Sequence, residues 1–306
     1  MHKQKAGAPM HERSECVSIP VPTPCINVCR LDEATGLCLG CARDGAEIAA
    51  WAEAGATFKR GVWETLPPRR ARLGMSVHRL PWTATEIGAF AETSLRERSG
   101  RWRLGAYGAS ISFAIGVGEA VEIASTPDAV TAVTPRGALR LLKHEKAIAI
   151  AFGGAANDTG PKAIGLVLPR GRVALREGAR PDEAAIGEAH RRHILLPLAP
   201  ERELATRFYV RSRDQGLLDE WRNGEPACVV ADAERAMQDG NANAVVETGL
   251  GRAEILAADD SGDGPSFHLS ATRYAEAREM PPGWPLDRVF ALGALFYPGS
   301  PASGQG

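Results

Sequence analysis

The sequence predicts an α+β protein in two parts, a small cysteine-rich helical module followed by a larger domain of strands and helices. Four of the six cysteines fall within residues 25–41, and two short helical patterns follow them. Beyond a segment rich in proline and arginine, strand-like and helix-like stretches come in blocks, whereas a doubly wound α/β sheet would alternate them strictly. The predicted organisation is a disordered N-terminus, the cysteine module, a linker, the α+β domain and a disordered tail, at residues 1–19, 20–73, 74–82, 83–297 and 298–306.

Length and composition are those of a soluble globular protein with room for a sizeable core, with 306 residues, 44% hydrophobic and 24% charged. The formal net charge of −1 does not favour a nucleic-acid partner or an anionic membrane surface. The polar N-terminus lacks the apolar core of a signal peptide, and no apolar stretch is long enough to span a membrane. We therefore expect a cytoplasmic protein, in a compartment where clustered cysteines serve more often as ligands than as disulfides.

The clustered cysteines have the spacing of a thiolate metal site. Cys25, Cys29, Cys38 and Cys41 follow the pattern C-x3-C, eight residues, then C-x2-C. Each close pair offers two sulfurs from one tight turn, and the polar loop between the pairs can fold back to complete a tetrahedral shell. Gly40 leaves room for backbone N–H groups to turn toward sulfur. Four thiolates suit tetrahedral zinc and equally a [2Fe–2S] or [4Fe–4S] cluster, and since the spacing differs from the ferredoxin patterns, chemistry alone slightly favours zinc.

Two helices are predicted after the last cysteine. Asp44 followed by Glu47 is the capping-box pattern that starts the first of them. The second begins near Thr57 and is expected to stop at Pro67-Pro68. The module has few large apolar residues, so a bound metal would supply the stability that its small core lacks.

Other chemistry-bearing residues are assigned no site. Arg69, Arg70 and Arg72 could contact phosphate, but no aromatic residues alternate with them, so an exposed linker is the preferred interpretation. Cys16 lies in the N-terminus expected to be disordered, and Cys228 is predicted to be a small buried hydrophobic residue.

The larger domain is predicted to begin with an amphipathic helix over residues 83–98. Strands are expected at "AYGASISFAIG", "AVTAVTP", "GALRLL", "KAIAIAF" and "KAIGLVLP", with a hairpin between the second and the third. A helix at "PDEAAIGEAHRRHI" and a strand at "ATRFYVRS" follow. The remaining elements are helices at "GLLDEWR" and "DAERAMQ" and strands at "AVVETGLGRAEIL" and "SFHLSATRY".

The segment "PCINVCRLDEATGLCLGCARDGAEIAAW" resembles a family called domain of unknown function 1289, whose members are described as predicted iron–sulfur proteins. Besides the four cysteines, the resemblance rests on Pro24, Asp32, Gly36, Gly40, Arg43, Glu47, Ile48 and Trp51, with Asp44 where the family often has Thr. It implies an iron–sulfur cluster on the four cysteines. The C-terminal region is similar, more loosely, to a group of uncharacterised alphaproteobacterial proteins that share "WRLGAYGA", "TAVTPRGALRL" and "PPGWPLDRVFALGALFYP". That resemblance implies no particular activity.

Three functions follow from these observations. The first is a redox or accessory protein with an iron–sulfur cluster on Cys25, Cys29, Cys38 and Cys41. The second is a zinc-binding interaction module that docks a protein or nucleic-acid partner through the same cysteines. The third is an enzyme with its site in residues 83–297, where no nucleophile–base set can be argued from the sequence.

Overall fold

The computed structural model describes residues 20–106, 108–153, 160–172, 186, 193–197, 205–256, 264–269 and 286–299. The helices there are α1 (Gly45–Ala50), α2 (Ala56–Arg72), α3 (Ala84–Arg96), α4 (Gln215–Asn223) and α5 (Pro226–Gln238). The strands are β1 (Val77–Arg79), β2 (Gly100–Ala106), β3 (Ala109–Phe113), β4 (Glu122–Ser125), β5 (Ala129–Val133), β6 (Gly137–Leu142), β7 (Ile148–Phe152), β8 (Ala163–Pro169), β9 (His193–Pro197), β10 (Thr206–Arg211), β11 (Asn243–Thr248), β12 (Gly251–Ile255), β13 (Ser266–Leu269) and β14 (Phe290–Pro298). None of these helices is long and apolar enough to cross a membrane.

The strands form two seven-stranded antiparallel sheets, which together with the helices confirm the predicted α+β class. Sheet 1 has the order β1-β7-β8-β14-β2-β3-β13, and sheet 2 the order β4-β5-β6-β12-β11-β10-β9. One apolar cluster contains side chains from both sheets, including Leu104 and Phe113 of sheet 1 and Val246 and Ala253 of sheet 2. The sheets therefore stack face to face around a common core.

Helix α3 closes one side of this core and confirms the helix predicted near residues 83–98. Its N-terminus carries a capping box, with Thr83 and Glu86 each bonding the other's backbone N–H. The indole Nε1 of Trp102 on β2 donates a 3.0 Å hydrogen bond to the Ser94 hydroxyl of α3. The ring of Phe90 meets the ring of Phe296 edge-on at 5.1 Å.

Helix α2 does not stop at Pro67-Pro68 as predicted, but continues to Arg72. The two prolines cannot donate to the carbonyls of the preceding turn, and this loss normally ends a helix. Here the inner face of the last turns carries Leu66 and Arg70, both buried. Packing of that face holds the chain helical beyond the prolines.

Two segments differ from their predicted roles. Residues 74–82, expected as a linker, contain β1, which pairs antiparallel with β7 and so belongs to sheet 1. The helix predicted over residues 181–194 lies mostly outside the described residues, but His193 and Ile194 are extended, because β9 pairs with β10.

Cys228 is exposed on α5, where it was predicted to be buried, because the buried side of that helix runs through Val229 and Val230.

The cysteine module lies against the outer face of sheet 1. Side chains alternate along β7, so that Ala149 enters the core between the sheets while Ile148 and Ile150 form a second apolar cluster on the opposite face. Ile26, from the loop between the first two cysteines, packs on this second cluster. The fold thus places the cysteine loop on the sheet.

Candidate metal centre

The loop between the two cysteine pairs folds back on itself. Thr35 donates to the Asp32 carboxylate from its backbone N at 2.9 Å and from its hydroxyl at 2.6 Å. Gly36 follows with a φ of +68°, which favours glycine. A backbone bridge then pairs Leu31 with Cys38 and brings the second pair of cysteines beside the first.

The second pair sits on a tight turn. The backbone N–H groups of Cys41 and Ala42 both donate to the Cys38 carbonyl oxygen, at 3.3 and 2.7 Å. A side chain at Gly40 would place its Cβ 2.5 Å from the carbonyl oxygen of Val28 and 2.8 Å from the Val28 Cβ. Glycine is therefore required at this position for the two cysteine segments to approach each other closely.

Three of the four sulfurs accept N–H hydrogen bonds. The donors are Asn27 N to Cys25 Sγ at 3.3 Å, Gly40 N to Cys38 Sγ at 3.4 Å, and Arg43 Nε to Cys41 Sγ at 3.4 Å. A neutral thiol is a weak acceptor, whereas a thiolate attracts such donors strongly. The donor pattern therefore fits thiolate sulfurs at Cys25 and Cys41, whereas Cys38 Sγ also donates to the Val28 carbonyl oxygen at 3.2 Å and does so as a thiol.

The sulfurs influence each other electrostatically. A thiolate at Cys25 raises the pKa of Cys29 more than burial does, and Cys38 acts in the same direction. For Cys41, burial raises the pKa and the hydrogen bond from Arg43 opposes it. Ionisation of one of these cysteines therefore opposes ionisation of its neighbours. Cys38 and Cys41 are buried, and Cys29 is exposed.

Three arginines surround the cysteines. Arg43 and Arg70 are only 4% and 9% exposed, and their guanidinium groups lie over the rings of Trp51 and Trp63, at 4.7 and 5.3 Å from the ring centres. Burial lowers the pKa of Arg70 to about 10, and the nearby Cys41 acts in the opposite direction. Burial likewise lowers the pKa of Arg79, opposed by Cys25.

These arginines lack the usual counter-ions. Among the described residues, neither Arg43, Arg70 nor Arg79 forms an ion pair with a carboxylate, and the Nε atoms of Arg70 and Arg79 are buried without a hydrogen-bond partner. Arg69 on the same helix differs, because its Nη1 lies 2.6 Å from Glu47 Oε2. Arg43 Nε instead donates to Cys41 Sγ at 3.4 Å, and Cys41 and Cys25 act electrostatically on Arg70 and Arg79.

The rest of the module is small. Asp44 and Glu47 form the predicted capping box at the start of α1. Behind the cysteines, only Ala42, Val62 and Leu66 form a buried apolar cluster, with Trp51, Trp63, Leu73 and Met75 packed at its edge. So small a core gives little stability of its own.

The four predicted cysteines lie on two neighbouring segments, which the Leu31–Cys38 bridge holds together. Within the described ranges, however, no group of three or more His, Cys, Asp or Glu side chains is positioned to hold a metal ion. The donor set still fits a thiophilic metal in chemical terms, since it offers four sulfurs, three N–H donors directed at them and three arginines without carboxylates.

Sequence reasoning missed the roles of Arg70 and Arg79. Arg70 was interpreted as part of an exposed linker, yet it is buried. The signal was available in the spacing of Val62, Leu66 and Arg70, which places the arginine on the apolar side of α2. Arg79 gave no such signal, because its burial depends on the pairing of β1 with a distant strand.

Comparison with known proteins identifies two families. The model of the protein of unknown function DUF1289 matches residues 23–70, which confirms the resemblance of the cysteine segment. The model of the family of unknown function DUF6925 matches residues 86–306, well over half of the chain. No curated protein and no solved structure matches. The chain therefore belongs to the DUF6925 family, and residues 23–70, ahead of the DUF6925 region, match the DUF1289 model.

Proposed function

We propose that Cys25, Cys29, Cys38 and Cys41 bind an iron–sulfur cluster and that the protein is a redox or accessory protein of the reducing cytoplasm. The observation that carries this proposal is the group of arginines beside the sulfurs. Arg43 and Arg70 are buried without a carboxylate partner, and burying an unpaired cation is costly. An anionic centre on the cysteines would remove that cost.

Four thiolates around Zn²⁺, or around a cluster with a formal double positive charge, form such an anionic centre. Its negative charge is spread over the sulfurs that accept N–H bonds from Asn27, Gly40 and Arg43. Those bonds and the arginine charges favour the thiolate form of the sulfurs that they reach. They would also tune a bound cluster, since hydrogen bonds to sulfur and nearby charges set its reduction potential.

The cluster, when bound, would supply one-electron chemistry. The protein's part is to hold and shield it. Cys38 and Cys41 are buried, whereas Cys29 is exposed, so its sulfur is the point where an electron-transfer partner could approach most closely. We expect that partner to be a protein, because the net charge of −1 gives no attraction for nucleic acid.

Anaerobic purification of the full chain tests this function. Iron and acid-labile sulfide should be present in stoichiometric amounts, with visible absorption that dithionite bleaches. Cys38→Ser should lose most of the metal, whereas Cys228→Ser, a change at an exposed cysteine outside the module, should keep it. Colourless protein with stoichiometric zinc after both anaerobic and aerobic preparation would exclude the cluster.

A zinc-binding interaction module is the second candidate, and the exposed apolar side chains of the module favour it. Val28, Leu31, Ile48 and Phe58 are large hydrophobic residues that remain exposed. Together with the small core, they fit a segment that zinc holds folded for docking to a protein partner. Chelation should then unfold residues 20–73 and leave the sheets intact. Retained dispersion of the module's proton spectrum after complete zinc removal would contradict this function.

A further inference from the structure

Strand β1 brings a charged side chain from sheet 1 to the cysteine module. Val77 and Arg79 point to the same face of β1 because side chains alternate along a strand. Val77 packs on the outer apolar cluster of sheet 1, which Ile26 of the cysteine loop also joins. Arg79 therefore lies on the face that the module covers.

Arg79 meets a second arginine where the module contacts sheet 1. Arg70 Nη2 on α2 donates to the backbone carbonyl oxygen of Arg79 at 3.5 Å, so two guanidinium-bearing residues meet at the junction. The Arg79 Nε is buried and has no hydrogen-bond partner among the described residues. Ile26, the residue after Cys25, packs on the same outer cluster as Val77, so the first cysteine turn lies beside the face of β1 that carries Arg79.

We propose that Arg79, contributed by sheet 1, is part of the four-cysteine site, so that metal binding by the cysteines and docking of the module on sheet 1 strengthen each other. This inference rests on the proposed metal site but holds for zinc and for an iron–sulfur cluster alike. The attraction between Arg79 and the cysteines is strong when they are ionised around a metal and weak when they are neutral thiols. Because linkage is reciprocal, a contact that metal binding strengthens must also strengthen metal binding.

The proposal gives the site a regulatory property. Metal loss leaves Arg70 and Arg79 as adjacent cations at the junction without an anion between them. The module then holds to sheet 1 mainly through the Ile26 contact and the pairing of β1 with β7. Metal occupancy would thus change how firmly β1 pairs with β7, a strand of the region that the DUF6925 model matches.

Zinc affinity of the full chain provides the first test, with Zn²⁺ as the probe and a competing chelator. Arg79→Gln removes the charge and should weaken Zn²⁺ binding by about tenfold, as expected for loss of an opposite charge near the ligands. Arg72→Gln removes an equal charge from the exposed side of α2 and should leave the affinity unchanged. Arg79→Lys should restore most of the affinity, because it keeps the charge at the junction.

Hydrogen exchange of the wild-type chain provides a second test that needs no variant. Removing Zn²⁺ should speed exchange of the amides of Leu80 and Gly153, which join β1 to β7 by hydrogen bonds of 2.9 and 2.8 Å. The hairpin of β5 and β6 lies in sheet 2 and should exchange at the same rate with and without zinc.

The outcomes separate this inference from the proposed function. If the wild-type chain binds no metal through its cysteines, both fall. The chain could instead bind metal while Arg79→Gln and Arg72→Gln have the same Zn²⁺ affinity, or while exchange at β1 is the same with and without zinc. Either result would support the metal site and show that its link through Arg79 is wrong. Weaker binding by Arg79→Gln alone, together with zinc-dependent exchange at β1, supports both.

Discussion

The indole Nε1 of Trp63 on α2 donates a 2.8 Å hydrogen bond to the backbone carbonyl oxygen of Pro22. The bond joins residues that lie 41 positions apart and ties the chain entering the first cysteine pair to the helix behind the site. The ring of the same tryptophan lies under the Arg70 guanidinium. Trp63 therefore connects the start of the cysteine loop to one of the cations beside the sulfurs.

Trp63→Phe should weaken this connection, because phenylalanine keeps an aromatic ring but has no N–H to donate. We expect a loss of about 1 kcal/mol, the usual net value of one hydrogen bond. Hydrogen exchange of the α2 amides measures it. Phe58→Leu, at an exposed position of the same helix, should leave that exchange unchanged. Equal protection in the two variants would show that the bond to Pro22 contributes nothing.

A second prediction concerns the close approach at Gly40. Gly40→Ala would force its new Cβ against the Val28 backbone and should destabilise the module by about 1–3 kcal/mol, as overpacking does. Gly61→Ala is the matched control, since Gly61 lies inside α2 with no atom within 4 Å of the added Cβ. That change should stabilise the helix by roughly 0.5–1 kcal/mol. Urea unfolding followed by tryptophan fluorescence should give opposite signs for the two, and a neutral Gly40→Ala would contradict the packing described here.

Local sequence signals predicted the parts of the fold that short-range chemistry controls. The capping boxes at Asp44 and Thr83 depend on residues three apart, and both are present. The hairpin between β5 and β6 was visible as a turn signal between two alternating segments, and Val133 does pair with Ala138. Each of these features needs no information beyond a few neighbouring residues.

The order of the strands could not be read in this way. Strand β14 lies between β8 and β2, so Phe296 pairs with Ile164 on one side and Trp102 on the other. Many pairings of apolar strands satisfy the same alternation, and only packing of the whole core selects one. For the same reason the sequence did not predict that Arg79 would lie beside the cysteine module, since its position depends on the pairing of β1 with β7. The spacing of the cysteines therefore predicted candidate ligands, whereas the arginines around them depend on tertiary packing that the sequence did not reveal.

A third prediction concerns a buried ion pair in sheet 2. Glu254 on β12 is 0% exposed and accepts from Arg211 Nη1 and Nη2 at 3.2 and 3.1 Å, from Arg252 Nε at 2.6 Å and from Ile186 N at 3.1 Å. Glu254→Gln would leave Arg211, itself 2% exposed, without its negative partner. The expected loss is about 3–5 kcal/mol, as for other broken buried pairs.

Replacing both partners tests the cause of that loss. The double variant Arg211→Met, Glu254→Leu removes the fully buried charge pair, although Arg252 loses its contact with Glu254, and should recover part of the stability. The midpoints of urea unfolding compare the variants. Equal losses in the single and the double variant would mean that packing at this position matters more than the charge pairing.

A last prediction concerns the pH dependence of stability and follows from Glu119 and Arg136. Arg136 Nε and Nη2 donate to the Glu119 carboxylate at 2.9 and 2.7 Å, and this pairing, above all, lowers the pKa of Glu119 below its usual value. The backbone N–H of Gly116 also donates to the carboxylate, at 2.8 Å. In the unfolded chain neither contact exists.

A carboxylate whose pKa is lower in the folded state binds fewer protons there than in the unfolded state. Its stabilising contribution is therefore complete above the unfolded pKa of glutamate and is lost as the pH falls through the lowered folded pKa. Glu119→Gln should destabilise the protein at pH 7. The difference in free energy of unfolding between the wild type and Glu119→Gln, called the gap below, should narrow below about pH 4.5, the ordinary pKa of glutamate. Urea unfolding from pH 7 to pH 3, with Glu122→Gln at an exposed position of β4 as the control, measures the gap. A gap that stays constant over this range would mean that the Glu119 carboxylate gains nothing from Arg136 on folding.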